Sequence, residues 1–121
     1  MEVICIASEE KRYEMKFRRW LESKGIYNIG TPKQKMKVPQ IGVYMKNFGC
    51  QFTINGTPDY LLDIKGHALW LEFKASKGRP SIVQVKIVDN INSWGGIARI
   101  IYPKDFEDTC KLIEEVIYDK H

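Results

Sequence analysis

From Tyr60 to Lys74 the chain has little freedom in what it can become. Two short apolar runs, Tyr60 to Ile64 and Ala68 to Lys74, flank Lys65-Gly66, which supplies turn chemistry. That pattern predicts two strands of one β-hairpin. Side chains alternate faces along a strand, so Leu69, Leu71 and Phe73 share a core face, while Trp70, Glu72 and Lys74 share the other. Asp59 stands where the Gly56-Thr57-Pro58 turn ends and the first strand begins. A tight hairpin therefore brings it back beside Glu72. Two carboxylates converging at one end of a sheet make a hard-oxygen site suited to Mg²⁺ or Mn²⁺.

The rest of the chain is sized for one compact domain spanning 1–121. With 121 residues and 44% apolar content, a single core is expected. The formal net charge of +4 is modest but unevenly spread. Lys11, Arg12, Lys16, Arg18, Arg19, Lys24, Lys33, Lys35 and Lys37 face only Glu14 and Glu22 in that stretch. The acids Asp105, Glu107, Asp108, Glu114, Glu115 and Asp119 gather near the C-terminus. Such asymmetry points to one polyanion-facing surface, against the plainer alternative of solvated helix faces. Cys5, Cys50 and Cys110 are widely separated, odd in number and without metal-like spacing, so reduced structural thiols are expected. Val3 to Ala7 is too short to span a bilayer or form a signal core, which leads to an expectation of a cytoplasmic protein with no membrane partner.

Helical spacing of Tyr13, Phe17, Trp20 and Leu21 predicts a first helix capped by Ser8 and stopped by Gly25. Ile26 to Gln40 is polar, punctuated by Gly and Pro, with Lys33, Lys35 and Lys37 in alternation. Val43 to Lys46 is a strand, and the hairpin follows. Ser81 to Trp94 is a second helix with Ile82, Val85, Val88 and Ile91 or Asn92 on its inner side, ended by Gly95-Gly96. Ile97 to Tyr102 is a buried type of strand, and Lys104 to Tyr118 a third helix. The order α, β, β, β, α, β, α predicts an α/β fold: a mixed sheet flanked by helices. The Glu72 and Ile97 strands should be parallel neighbours joined by the second helix through a right-handed crossover.

Pro58-Asp59 and Glu72-Phe73-Lys74 resemble the motif of the PD-(D/E)xK nucleases. Their setting, with Asn47-Phe48-Gly49-Cys50-Gln51-Phe52 before, Gly78-Arg79-Pro80-Ser81 after and Gln84 in a helical pattern, is similar to the VRR-NUC (virus-type replication-repair nuclease) family over roughly residues 9 to 104. The resemblance implies a restriction-endonuclease-like αβββαβ core plus a C-terminal helix. It also implies an acid on the first helix that completes the metal site. Glu10 fits that position best, Glu14 lies one turn on, and Glu9 is the weakest of the three. Gln84 matches the family's helix Gln near the catalytic Lys. The long Ile26 to Gln40 segment departs from the simplest family pattern.

Chemistry assigns the remaining roles. Asp59 and Glu72 are the expected metal ligands, with Phe73 adding its backbone carbonyl. Lys74 is suited to orienting water or stabilising the phosphate. Alone, Glu72 and Lys74 would suit an exposed cross-face ion pair. Lys33, Lys35, Lys37, Lys46, Lys77 and Arg79 are candidates for contacts to backbone phosphates. The alternating lysines are equally suited to guarding an edge strand. Trp70 either lines the site or belongs to the core, and His67 is placed in the hairpin turn with no catalytic role. The function implied by the resemblance is metal-dependent DNA cleavage on branched DNA such as Holliday junctions, by a phage-type protein acting as a two-fold homodimer. The alternatives are a monomeric nickase or flap-type nuclease, and a DNA-binding module that has lost catalysis.

Overall fold

A computed structural model describes residues 8–47 and 54–119. Helix α1 covers Glu9–Ser23. Ser8 caps it, its hydroxyl accepting from the Lys11 N–H at 3.2 Å, and Glu9 and Glu10 stand in the first turn, where the helix dipole favours them. Tyr13, Phe17 and Leu21, four residues apart, form its buried stripe. Gly25, at φ +92°, ends the helical path.

Five strands follow among the described residues: β1 (Ile26–Asn28), β2 (Gly42–Lys46), β3 (Tyr60–Ile64), β4 (His67–Phe73) and β5 (Ile97–Ile101). Helix α2 (Ile82–Ser93) lies between β4 and β5, and α3 (Phe106–Ile117) closes the described chain. The sheet order is β1-β2-β3-β4-β5. The outer pairs β1/β2 and β4/β5 are parallel, and the two inner pairs are antiparallel. Lys65 (φ 53°) and Gly66 (φ 88°) both take positive φ, as the two-residue primed hairpin turn requires. The Gly66 N–H donates to Asp63 Oδ1 at 2.9 Å. His67 pairs with Ile64 as the first residue of β4, one position beyond the turn to which the sequence assigned it.

One face of the sheet carries the core. Tyr44, Tyr60, Leu62, Ile64, Leu69, Leu71, Phe73 and Ile101 pack with Tyr13, Phe17 and Leu21 of α1 and with Ile113, Val116 and Ile117 of α3. The expected alternation in β4 is realised: Leu69 and Leu71 are fully buried and Phe73 nearly so. On the far side of the sheet α2 packs against β5. The Asn92 side chain donates to the Ala98 carbonyl at 2.9 Å and accepts from the Ala98 N–H at 2.8 Å, which satisfies both backbone groups of Ala98 on the outer side of β5.

Three sequence expectations are corrected. The segment after Gly25 contains an unforeseen strand, β1, whose register is set by β2. Lys33–Lys35 form a 3₁₀ turn, and Lys37 lies in the loop beyond, so the alternating lysines do not guard a strand. Tyr27 holds this loop down, its hydroxyl accepting from the N–H groups of Lys37 at 3.0 Å and Val38 at 3.1 Å. On α2, Ile82 and Val85 are exposed, and the inward side runs through Gln84, Ile87, Val88 and Ile91. Two polar anchors, Gln84 and Asn92, set the helix's rotation, and apolar periodicity cannot register them. The mixed α/β sheet with flanking helices is as expected, as is the parallel pairing of β4 and β5. Phe48 to Phe52, Cys5, Cys50 and Val3 to Ala7 lie outside the described residues.

Candidate functional site

Because Tyr60 is paired with Leu71, the residue before β3 stands opposite Glu72. Asp59 is fixed there by the Asn47 N–H, which donates to its carbonyl at 2.6 Å. Glu72 is only 3% exposed, which excludes the alternative of an exposed ion pair with Lys74. The facing positions at the end of β3 and β4 put the two acids side by side, near enough for each to feel the other's charge. Burial first, then the hydrogen bond and negative charge of Asp59, push the Glu72 carboxyl up to about 8, and the Lys74 ammonium opposes them without offsetting them.

A second anchor comes from α2. The Gln84 amide donates from Nε2 to Glu72 Oε1 at 2.7 Å. Its Oε1 accepts from the Ser81 N–H at 2.9 Å, while Ser81 Oγ accepts from the Gln84 N–H at 3.1 Å. Ser81 and Gln84 thus form a reciprocal capping box that also aims the amide at the site.

The three acids of α1 go to three different places. Glu9 accepts from the Ser76 N–H at 2.5 Å, a backbone bond that is the main cause of its lowered carboxyl pKa and that ties the loop after β4 to the helix. Glu14 is buried, accepting from Lys46 Nζ at 2.8 Å and from the Tyr60 hydroxyl at 2.9 Å. The Tyr60 hydroxyl accepts in turn from Arg18 Nε at 2.8 Å. Glu10 remains partly exposed, its carboxyl raised by burial first and then by the charges of Glu14 and Asp59, with Lys74 and Lys46 opposing. Its charged neighbours are therefore divided between the Glu14–Lys46 pair and the Asp59 and Lys74 side of the candidate centre.

Other expected site residues divide by position. The Phe73 side chain sits in the core against the rings of Tyr13, Phe17 and Tyr60, with centroids 5.2, 5.1 and 4.9 Å away, so only its backbone could face a cation. Lys46 is committed to Glu14 and is not a free surface cation. Lys33, Lys35, Lys37, Lys77 and Arg79 are exposed. Lys35 and Lys37 line a concavity with Arg19, Glu22 and Ser23 near the last turn of α1, the opposite end of that helix from Glu10. Trp70 is half-buried on the Glu72 face and is not part of the core cluster. Sequence reasoning missed Arg18 and Tyr60 because their bond spans 42 positions. The one available signal was a charged residue four positions after Glu14 on the inward side of α1.

Among the described residues, no three His, Cys, Asp or Glu side chains converge closely enough to hold a metal ion. A cation at Asp59 and Glu72 would rest on two carboxylates. That fits Mg²⁺, which uses one or two carboxylates, keeps several waters and takes the rest of its ligands from substrate phosphates. Two acids side by side, with Glu72 buried, present the donor chemistry that a hard divalent cation relieves. Cys110 is a free, buried thiol, pushed up to about 11 chiefly by burial. Among the described residues no helix is long and apolar enough to cross a membrane. Comparison with protein-family models, with curated proteins and with solved structures finds no match to this chain.

Proposed function

We propose that this chain is a metal-dependent endodeoxyribonuclease of the VRR-NUC type, within the PD-(D/E)xK nucleases. The observation that carries the reading is the placement of Asp59 opposite buried Glu72 at the open end of the hairpin, with Lys74 two residues on along the same face. A stable fold has little reason to bury one carboxylate beside a second, half-buried one unless a cation or a proton is to be held there.

Phosphodiester hydrolysis forms a bond from a water oxygen to phosphorus, breaks the bond to the leaving sugar oxygen and moves a proton from the water to that oxygen. Asp59 and Glu72 would hold Mg²⁺ or Mn²⁺ with the Phe73 carbonyl. Glu10, the acid the family resemblance assigns to the ion, would join them only by a movement of its side chain, since no three acids converge among the described residues. When bound, such an ion lowers the pKa of water and neutralises charge on the phosphoryl oxygens. Gln84 restricts the Glu72 carboxylate to one orientation from its 2.7 Å bond. Lys74 carries an ammonium that donates to the attacking water or to a non-bridging phosphate oxygen. The burial of Glu72 keeps bulk water from screening these interactions.

Preference for branched DNA, and a two-fold homodimer that cuts paired strands, are carried by the family resemblance alone. The test is incubation with four-way junctions, flaps, duplex and single strands in Mg²⁺ and in Mn²⁺. Cleavage lost in Asp59→Asn and Glu72→Gln, with binding retained, supports the nuclease. Cleavage by either variant at the wild-type rate refutes the assignment.

A further inference from the structure

An open cleft of about 680 Å³ is lined by Ser76, Lys77, Gly78, Arg79, Tyr102 and Lys104. Its two walls are the segments that leave β4 and β5. Those strands are parallel neighbours, so their carboxyl ends open side by side, the place where open α/β sheets receive ligands. Glu72 and Lys74 stand at the same end of β4. The cleft therefore adjoins the carboxylate centre along one edge of the sheet.

Its chemistry is that of an anion site. Lys77, Arg79 and Lys104 are exposed, and among the described residues none of them forms an ion pair. The acid whose carboxyl feels Lys77 is Glu9, and it is already bonded to the Ser76 N–H. Three cations around one concavity concentrate anions there, and the Arg79 guanidinium suits two phosphate oxygens at once. The volume exceeds what a lone phosphate needs and falls in the range of small-molecule sites, roughly 300–1,000 Å³. Tyr102 is the sole aromatic among the lining residues, and an aromatic ring beside a basic groove is a platform for a stacked base.

We propose that this cleft is a nucleotide-sized subsite for one nucleic-acid strand, with a phosphate held by Lys77, Arg79 and Lys104 and the adjoining base against Tyr102. The choice of ligand rests on the nuclease reading. The test does not, because it measures binding with cleavage suppressed by a chelator.

Fluorescence anisotropy of a labelled single-stranded oligonucleotide is measured across a salt series for the wild type, Arg79→Ala/Lys104→Ala, Tyr102→Phe and Tyr102→Ala. The double variant should bind more weakly, and each lost contact should flatten the slope of log K against log salt by about 0.7. Tyr102→Ala should weaken binding roughly tenfold and Tyr102→Phe should not, since stacking needs the ring and not the hydroxyl. Oligonucleotides with a 5′-phosphate and with a 5′-hydroxyl distinguish the sources: a preference for the phosphorylated end assigns a terminal phosphate, and equal binding assigns an internal diester. Wild-type affinity and slope in the double variant, whose exposed positions leave the fold intact, would overturn the proposal, as would a wild type that binds no oligonucleotide. Loss of affinity in the variants of a protein that cuts nothing would sink the nuclease reading and leave the cleft standing. Cleavage by the wild type with undiminished binding in the variants would do the reverse.

Discussion

Gln84 joins Glu72 to the start of a helix: one end of its amide bonds the Ser81 backbone, and the other donates to the carboxylate at 2.7 Å. The position of Glu72 is thus set by the capping of α2 as well as by the hairpin. The same side chain serves stability and the site, and the two contributions can be separated.

Ser81→Ala removes the hydroxyl that caps α2 but leaves the backbone N–H that orients Gln84. It should cost about 1 kcal/mol in stability and leave the activity of the folded protein intact. Gln84→Glu keeps an acceptor for the Ser81 N–H but replaces the donor to Glu72 with a third negative charge. Cleavage should fall by at least roughly tenfold and metal affinity should change, as measured by titration and initial rates. Equal activity losses in the two variants would mean that Gln84 acts only as a cap.

Glu14 and Glu10 should separate in the same way. Lys46→Ala leaves the buried Glu14 carboxylate without its cation and should cost about 3 kcal/mol, the low end for a broken buried pair, measured by urea unfolding. Glu14→Gln should also destabilise, because the Lys46 and Tyr60 donors lose a charged acceptor. Glu10→Gln should leave stability unchanged or slightly improved, because the surroundings of Glu10 disfavour its charged form, while weakening metal binding. The reverse order would transfer the ligand role to Glu14.

Stability in chelator should depend on pH with a definite sign. The Glu72 carboxyl lies at about 8 when folded, against an ordinary 4.5. Between those values the native state holds a proton that the unfolded chain has released, so stability falls as pH rises through that window and is fully present below it. Thermal melts from pH 5 to 8 should show the decline. Glu72→Gln should flatten it, and saturating Mg²⁺ should remove it by favouring the ionised carboxylate. A level wild-type profile without metal would contradict the burial of Glu72 beside Asp59.

Gly25→Ala should destabilise by at least about 2 kcal/mol. The residue sits at φ +92°, where an L side chain is strained, and an added Cβ would run into the Pro39 carbonyl oxygen. The Gly25 carbonyl also accepts from the Ile41 N–H at 2.9 Å, so the closure of the 26–40 loop depends on this approach. A melting temperature equal to wild type would show that the loop relaxes away at no cost.

What the sequence determined was whatever rests on neighbours a few positions apart. The Lys65-Gly66 turn and the period-two run beyond it specify the hairpin, its core face and the approach of Asp59 to Glu72. Ser8, with the Tyr13, Phe17 and Leu21 stripe, specifies α1 in the same local way. Tertiary structure decided everything that rests on distant partners. The surroundings of Glu9, Glu10 and Glu14 are set only when Ser76, Asp59 and Tyr60 stand beside them, residues 67 and 46 positions away in the bonded cases of Glu9 and Glu14. The short strand β1 exists because β2 offers it a ladder, and the rotation of α2 follows from bonds that Gln84 and Asn92 make to two strands. The burial of Glu72 was hidden for the same reason: alternation chooses a face, but only the helix that covers that face decides whether water reaches it.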